Sequence, residues 1–253
     1  MKLRVWFIAY DDFINASGTS TVSDIHAMYG SVIVKEWHRI DDACKPDVIY
    51  IQHVHNLIAP QLTLAMKQLS YICYSSNLFA NRTYCDYIYY TSAIGAYDTN
   101  AEFISWNNTH VSVGQQIVVP ANSQPALVIM GCYWPESGSE RVTVQKWITS
   151  KTLQLHQRYK NILVCGNTHA YSYRTESSLP DDTWTDIAFE YSALNDLNTV
   201  DSTTNTHANT TGRPDRLYLN SDKWHPVWCK RTSVGESTYP LSHYGLLCEL
   251  ESR

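Results

Sequence analysis

The sequence has no Cys-x-x-Cys pair, no excess of positive charge, no internal repeat, no low-complexity stretch and no apolar run at its start long enough for a signal or membrane segment. Each absence removes a class of function. Met1-Lys2-Leu3-Arg4-Val5-Trp6-Phe7-Ile8 is too short to span a membrane and lacks the Arg- and Ser-rich character of a transit peptide, so it is read as a first strand. A formal net charge of -5 provides no overall basic field for a nucleic-acid backbone. Non-specific coating of DNA is thereby excluded, although a local basic groove is not. The seven cysteines, at positions 44, 73, 85, 132, 165, 229 and 248, are scattered, and several sit inside apolar runs such as Ile162-Leu163-Val164-Cys165. They read as reduced core thiols of an intracellular protein of the cytoplasm or nucleus. The sequons at Asn15, Asn81, Asn107 and Asn209 point the other way, but such triplets arise by chance in a Ser/Thr/Asn-rich chain.

What is present is enough chain, 253 residues, for one large α/β domain, and no linker with a shift of composition divides residues 1–253. Ile25, Met28, Tyr29, Val32, Ile33, Trp37 and Ile40 recur at spacings of three and four and predict an amphipathic helix over about 22–43. Lys45-Pro46-Asp47 ends it, and Val48-Ile49-Tyr50-Ile51 is a continuous apolar run of the kind found in a strand covered on both faces. A shorter helix is expected over about 56–69. Residues 71–132 read as a meander of short strands separated by Asn, Gly, Ser and Pro clusters, followed by a helix over about 139–158 with Val144, Trp147, Ile148 and Leu155 on one face. Asn161 to Cys165 is the next strand, and the polar residues 192–213 are expected to form a long surface loop. The predicted fold class is α/β: a four-layer sandwich of two packed mixed sheets with helices outside.

Several segments, in order, carry a resemblance. They are Phe7-Ile8-Ala9-Tyr10-Asp11, Pro46-Asp47-Val48-Ile49-Tyr50-Ile51-Gln52-His53-Val54, Ile162-Leu163-Val164-Cys165-Gly166-Asn167-Thr168-His169, Leu179-Pro180-Asp181-Asp182, Arg213-Pro214-Asp215-Arg216-Leu217, and the closing Tyr239-Pro240-Leu241-Ser242-His243-Tyr244-Gly245-Leu246-Leu247. Together they resemble the DNase I-like endonuclease/exonuclease/phosphatase superfamily, most closely the 5′-tyrosyl-DNA phosphodiesterases. The resemblance implies the sandwich fold and a phosphodiesterase ancestry. In that family a carboxylate holds magnesium, a second activates water, and a His oriented by an Asp stabilises the phosphate.

Carried over residue by residue, the resemblance leaves little of that chemistry. The metal-holding Glu falls on His53, whose imidazole is a poor ligand for a hard ion. The water-activating Asp falls on Asn167, an amide with no basic oxygen at neutral pH. The family's neighbouring Asn is His169, its first-strand Asn is Asp11, its strand His is absent from Gly131-Cys132-Tyr133-Trp134, and the Asp before the final His is Ser242. Asp215 and His243 are the two positions kept. Loss concentrated in the site implies a pseudoenzyme acting as a binding or structural subunit, with protein partners, no membrane association and no cofactor.

The replacements also allow a second arrangement. His53, His169 and His243, with Asp11 beside them, form a candidate set for zinc or another divalent transition metal, better suited to it than to magnesium. Such a site would support a metal-dependent phosphodiesterase, with nucleic acid as a further partner class. The plainer reading is that these imidazoles bond to neighbours or water in a decayed pocket, and His55 is read as a loop residue. The eight Trp and eighteen Tyr are read mainly as core. Tyr171-Ser172-Tyr173-Arg174 and Trp224-His225-Pro226-Val227-Trp228 are set apart as interface candidates near the cleft mouth, and Lys230-Arg231 as a solvated face.

Overall fold

The computed structural model describes residues 1–9, 33–56, 58–74, 84–94, 97–98, 102–105, 111–121, 124–132, 134, 138–167, 184–187, 215–232 and 245–253. Its first sheet contains β1 (Lys2–Ala9), β2 (Val48–His55), β3 (Tyr71–Tyr74), β4 (Tyr84–Thr91), β12 (Trp224–Arg231) and β13 (Leu246–Ser252), in the order β12-β13-β1-β2-β4-β3. The second contains β5 (Tyr97–Asp98), β7 (Val111–Ala121), β8 (Gln124–Gly131), β9 (Ile162–Asn167), β10 (Thr185–Asp186) and β11 (Asp215–Asn220), in the order β10-β11-β9-β8-β7-β5. There β6 (Glu102–Ser105) pairs with β7. One parallel pair lies in each sheet, β1 with β2 and β8 with β9, and the remaining ladders are antiparallel.

Strict alternation on the central strands builds the layers. Leu3, Val5, Phe7 and Ala9 of β1 meet Leu127 and Ile129 of β8, Leu163 and Cys165 of β9, and Leu217 and Leu219 of β11 in one core between the sheets. The other face of β1, Trp6 and Ile8, joins Ile49, Ile51 and Val54 of β2 beneath α1 (Ala59–Gln68), which lays Ala59, Leu62 and Met66 on it at helical spacing. On the far side Val128, Met130, Ile162 and Val164 receive Val144, Ile148 and Leu155 of α2 (Gly138–Tyr159). The result is the expected four-layer α/β sandwich. Fully buried central strands explain why Val48–Ile51 and Ile162–Cys165 read as continuous apolar runs rather than alternating ones.

Some expectations are corrected. Of the helix expected over 22–43, residues 33–39 are helical. Ile40 leaves the helix and Asp42–Cys44 form a separate 3-10 turn, because the Asp41 side chain accepts from the Ala43 N–H and starts a new cap. Residues 22–32 lie outside the described residues, as do 192–213. The supposed meander over 71–132 is divided between the sheets, since β3 and β4 close the first while β5 to β8 open the second. Pairing partners of this kind are set by the core, which a local pattern does not contain. None of the six cysteines whose side chains are described is in a disulfide, and among the described residues no helix is long and apolar enough to cross a membrane.

Two close approaches fix the strands near the end of the sandwich that carries Ala9 and Gly131. A methyl group at Gly131 would collide with the Tyr50 ring, and one at Gly245 would collide with Trp6 and Thr232. The Tyr50 ring has little room to give, because it stacks on Phe7 with centroids 5.5 Å apart. At the opposite end the buried Glu249 carboxylate takes bonds of 2.8 Å from both Lys2 Nζ and Arg4 Nε. Burial pushes that carboxyl up, but the two cations outweigh it and hold it below the ordinary carboxylate value.

Gly131→Ala is expected to lower stability by about 3 kcal/mol, as overpacking of a fixed ring does. The midpoint of a urea titration checks it, with the slope unchanged. A carboxyl lowered by folding contributes stability that is fully present above its unfolded pKa, about 4.3, and is lost as pH falls through the folded value. Glu249→Gln is therefore expected to be less stable than the parent at neutral pH, and the gap to close on acidification below about pH 4.

Candidate functional site

In both sheets the parallel strands end on the same side of the sandwich, and polar residues take over there from the apolar runs. This is the region outside carboxyl strand ends where open α/β sheets bind ligands. On β2 the run Val48–Ile51 gives way to Gln52, on β9 the run ends at Asn167, and β11 begins at Asp215 directly opposite Asn167 in the antiparallel ladder. All three are 0% exposed. Alternation assigns Asn167 and Asp215 to the inter-sheet face, in phase with Cys165 and Leu217.

Gln52 joins the two sheets. Its Oε1 accepts the Asn167 N–H at 2.8 Å, and its Nε2 donates to the Cys132 carbonyl at 2.5 Å and to the Tyr50 hydroxyl at 3.2 Å. One amide thus makes three of the four hydrogen bonds open to it. Tyr50 in turn donates to Asp86 Oδ2 at 2.5 Å, and Asp86 is itself buried on β4. Burial, then the Asp86 charge, pushes the Tyr50 phenol well above its ordinary pKa, so it remains a donor. Burial pushes the Cys132 and Cys165 thiols well up too, so neither is a ready nucleophile at neutral pH.

Beyond β8 the chain keeps its bond to β9. The Cys132 N–H donates to the Cys165 carbonyl at 2.9 Å and the Trp134 N–H to the Asn167 carbonyl at 3.1 Å. Asn167 is therefore held by both backbone groups. Between Ile51 and Val54 the pairing of β2 with β4 shifts register, and Val54 joins Ile49 and Ile51 in the helix-side core. Such irregularities recur beside active sites, where they re-aim side chains. His53 lies in this step of the backbone and its side chain is outside the description. β2 continues through His55, so that residue belongs to a strand and not to a loop.

Of the sequence-predicted site residues, the structure brings Asn167 and Asp215 together. Asp11, His169, Ser242 and His243 lie outside the described residues, as do Tyr171-Ser172-Tyr173-Arg174. The expected position of Trp224-His225-Pro226-Val227-Trp228 near the cleft mouth is corrected. Trp224 pairs with Ser252 near the start of β1, roughly 20 Å of strand from the Ala9 end, and its ring is buried in the inter-sheet core. Lys230 is exposed as expected, and its ammonium lies 5.2 Å from the centre of the Trp228 ring.

Gln52, Tyr50 and Asp86 were missed in the sequence reading. A lone amide closing an apolar run, and a carboxylate inside the aromatic Tyr84–Thr91 strand, were the available signals. Magnesium calls for anionic and other oxygen donors in octahedral array, and among the described residues the positions that the resemblance implies do not supply them. Position 53 offers an imidazole and Asn167 a neutral amide. Among the described residues no group of three or more His, Cys, Asp or Glu side chains is placed to hold a metal.

No family model and no curated protein matches the chain. Solved structures do. D. rerio TDP2 complexed with a single-strand DNA product superimposes with a TM-score of 0.65 at 15% identity, over 99% of each chain. Truncated Caenorhabditis elegans TDP2 gives 0.67 at 13% identity, over 100% of this chain and 98% of that one. An endonuclease/exonuclease/phosphatase family protein from Bacteroides thetaiotaomicron gives 0.67 at 13%, over 99% and 97%. At such identities the likeness is one of architecture, and it shows the DNase I-like fold.

Gln52→Glu keeps the shape of the side chain but removes both donors and sets a carboxylate against the Cys132 carbonyl and the Tyr50 oxygen. It is expected to cost about 3 kcal/mol or more, read by denaturant titration.

Proposed function

We propose that this chain is a non-hydrolytic protein built on the phosphodiesterase fold of residues 1–253, serving as a binding or structural subunit. The observation that carries the reading is Asn167. Where the resemblance implies a water-activating Asp, the chain has a neutral amide, fully buried and bonded through its backbone to Gln52 and Trp134.

Acid-base catalysis needs a group that accepts a proton in the transition state, and an amide oxygen does not do so at neutral pH. Removing such a group commonly costs on the order of 10²-fold or more, and the sequence replaces the implied metal carboxylate and the Asp before His243 as well. Asp215 remains opposite Asn167, where in the family an Asp orients the final His. With the partner roles gone, Asp215 and His243 are proposed as relics of that chemistry, and Asp215 as a polar anchor at the strand ends. Its partners are proposed to be proteins. Nucleic acid is the second class, since one of the solved neighbours was crystallised with a single-strand DNA product.

The test is incubation of the purified chain with 5′-phosphotyrosyl DNA and abasic-site DNA in magnesium, and again in zinc, beside a His243→Ala variant. No cleavage above that variant is expected in either metal. Cleavage by the parent that His243→Ala abolishes would overturn the reading. If that cleavage required zinc, with about one equivalent of zinc retained by the protein, it would favour the site of Asp11, His53, His169 and His243 instead.

A further inference from the structure

The polar groups between the sheets form a directional chain. Asn167 N–H donates to Gln52 Oε1, Gln52 Nε2 to the Tyr50 oxygen, and the Tyr50 hydroxyl to Asp86 Oδ2, over distances of 2.8, 3.2 and 2.5 Å. Every donor points the same way, from the backbone of the candidate site toward a buried carboxylate. We infer that Asp86 is a positioning residue whose carboxyl group, through Tyr50 and Gln52, holds the Asn167 strand end in place without a bound divalent ion. This deepens the reading under Proposed function and rests on it, because a site that holds its own floor needs no ion to organise it.

Three observations converge on Asp86. First, it is 2% exposed, so its carboxylate is held by protein groups and not by bulk water. Second, it lies on β4 between Cys85 and Tyr87, which pair with Val54 and Ile51, and so stands across from the irregular step at Gln52 and His53. The Asp86 carboxyl thus sits one strand away from the position where the resemblance implies a metal carboxylate. Third, the ring of Tyr50 is fixed independently, by Phe7 on one side and by the absence of a side chain at Gly131 on the other. A fixed ring delivers its hydroxyl to Asp86 with little entropy left to lose, and charge-assisted bonds of this length are about twice as strong as neutral ones. Aligned donors polarise one another, so each bond in the chain strengthens the next.

The test is amide hydrogen exchange of the intact protein, followed residue by residue in the parent, in Asp86→Asn and in Tyr50→Phe. The second variant keeps the ring and its packing while cutting the chain. In both, exchange at the Asn167 amide is expected to accelerate about tenfold more than at Leu163 and Val164 in the middle of the same strand. Leu219→Ala, a core truncation at the other end of β11, is expected to raise exchange without singling out Asn167. In the parent, the Asn167 rate is expected to be the same in chelator and in millimolar magnesium.

Asn167 exchanging no faster than its mid-strand neighbours in the two variants would overturn the inference, as would strong added protection by magnesium. Failure of the functional reading would register separately, as His243-dependent cleavage of the DNA substrates, whatever the exchange rates show.

Discussion

The candidate site depends on one buried amide. The two sheets are joined along most of their area by apolar contact, which is not directional. Gln52 adds a directional tie at the carboxyl ends of the strands by binding Asn167 on β9 and the Cys132 carbonyl just past β8. Both partners are backbone groups, so the bond fixes strand positions and not merely side chains. A buried amide is costly when unsatisfied, and three good bonds convert that cost into specificity. Gly131 and the Tyr50 stack supply the steric half of the same constraint.

Much of this fold is legible in the sequence because burial writes itself into local pattern. Val48–Ile51 and Ile162–Cys165 are apolar on both faces since each lies between a sheet interior and a helix layer. The face of α2 is readable from Val144, Ile148 and Leu155 for the same reason. What local pattern does not encode is partnership across distance. Gln52 and Asn167 are 115 residues apart, the division of the 71–132 strands between sheets follows from which core each strand joins, and Trp224 is a core residue and not a rim residue because of its partner on β13. The continuation of β2 through His55 is of the same kind, since a register shift, and no turn residue, accommodates it.

The candidate site is legible in residue types and not in their arrangement. The identities of His53, Asn167 and Ser242 argue against an acid-base phosphodiesterase from residue type alone. The structure adds their arrangement: Asn167 and Asp215 are fully buried and in register, and Asn167 is tied to a polar chain ending on Asp86. Stability and catalysis draw on different residues in this architecture. A core shared by both sheets can persist whatever groups stand at its rim, so the fold by itself does not decide the reaction.

The claim at the centre of the account is that this junction is closed by protein groups alone and holds no hard divalent ion. Crystals soaked first in manganese, as a magnesium surrogate with anomalous scattering, and then in zinc, test it at Asn167 and Gln52. The account predicts the Gln52 amide bonded to the Asn167 N–H with no anomalous peak within coordination distance of Asn167 or His53. An ion bound there, with the amide turned away from Asn167, would contradict it.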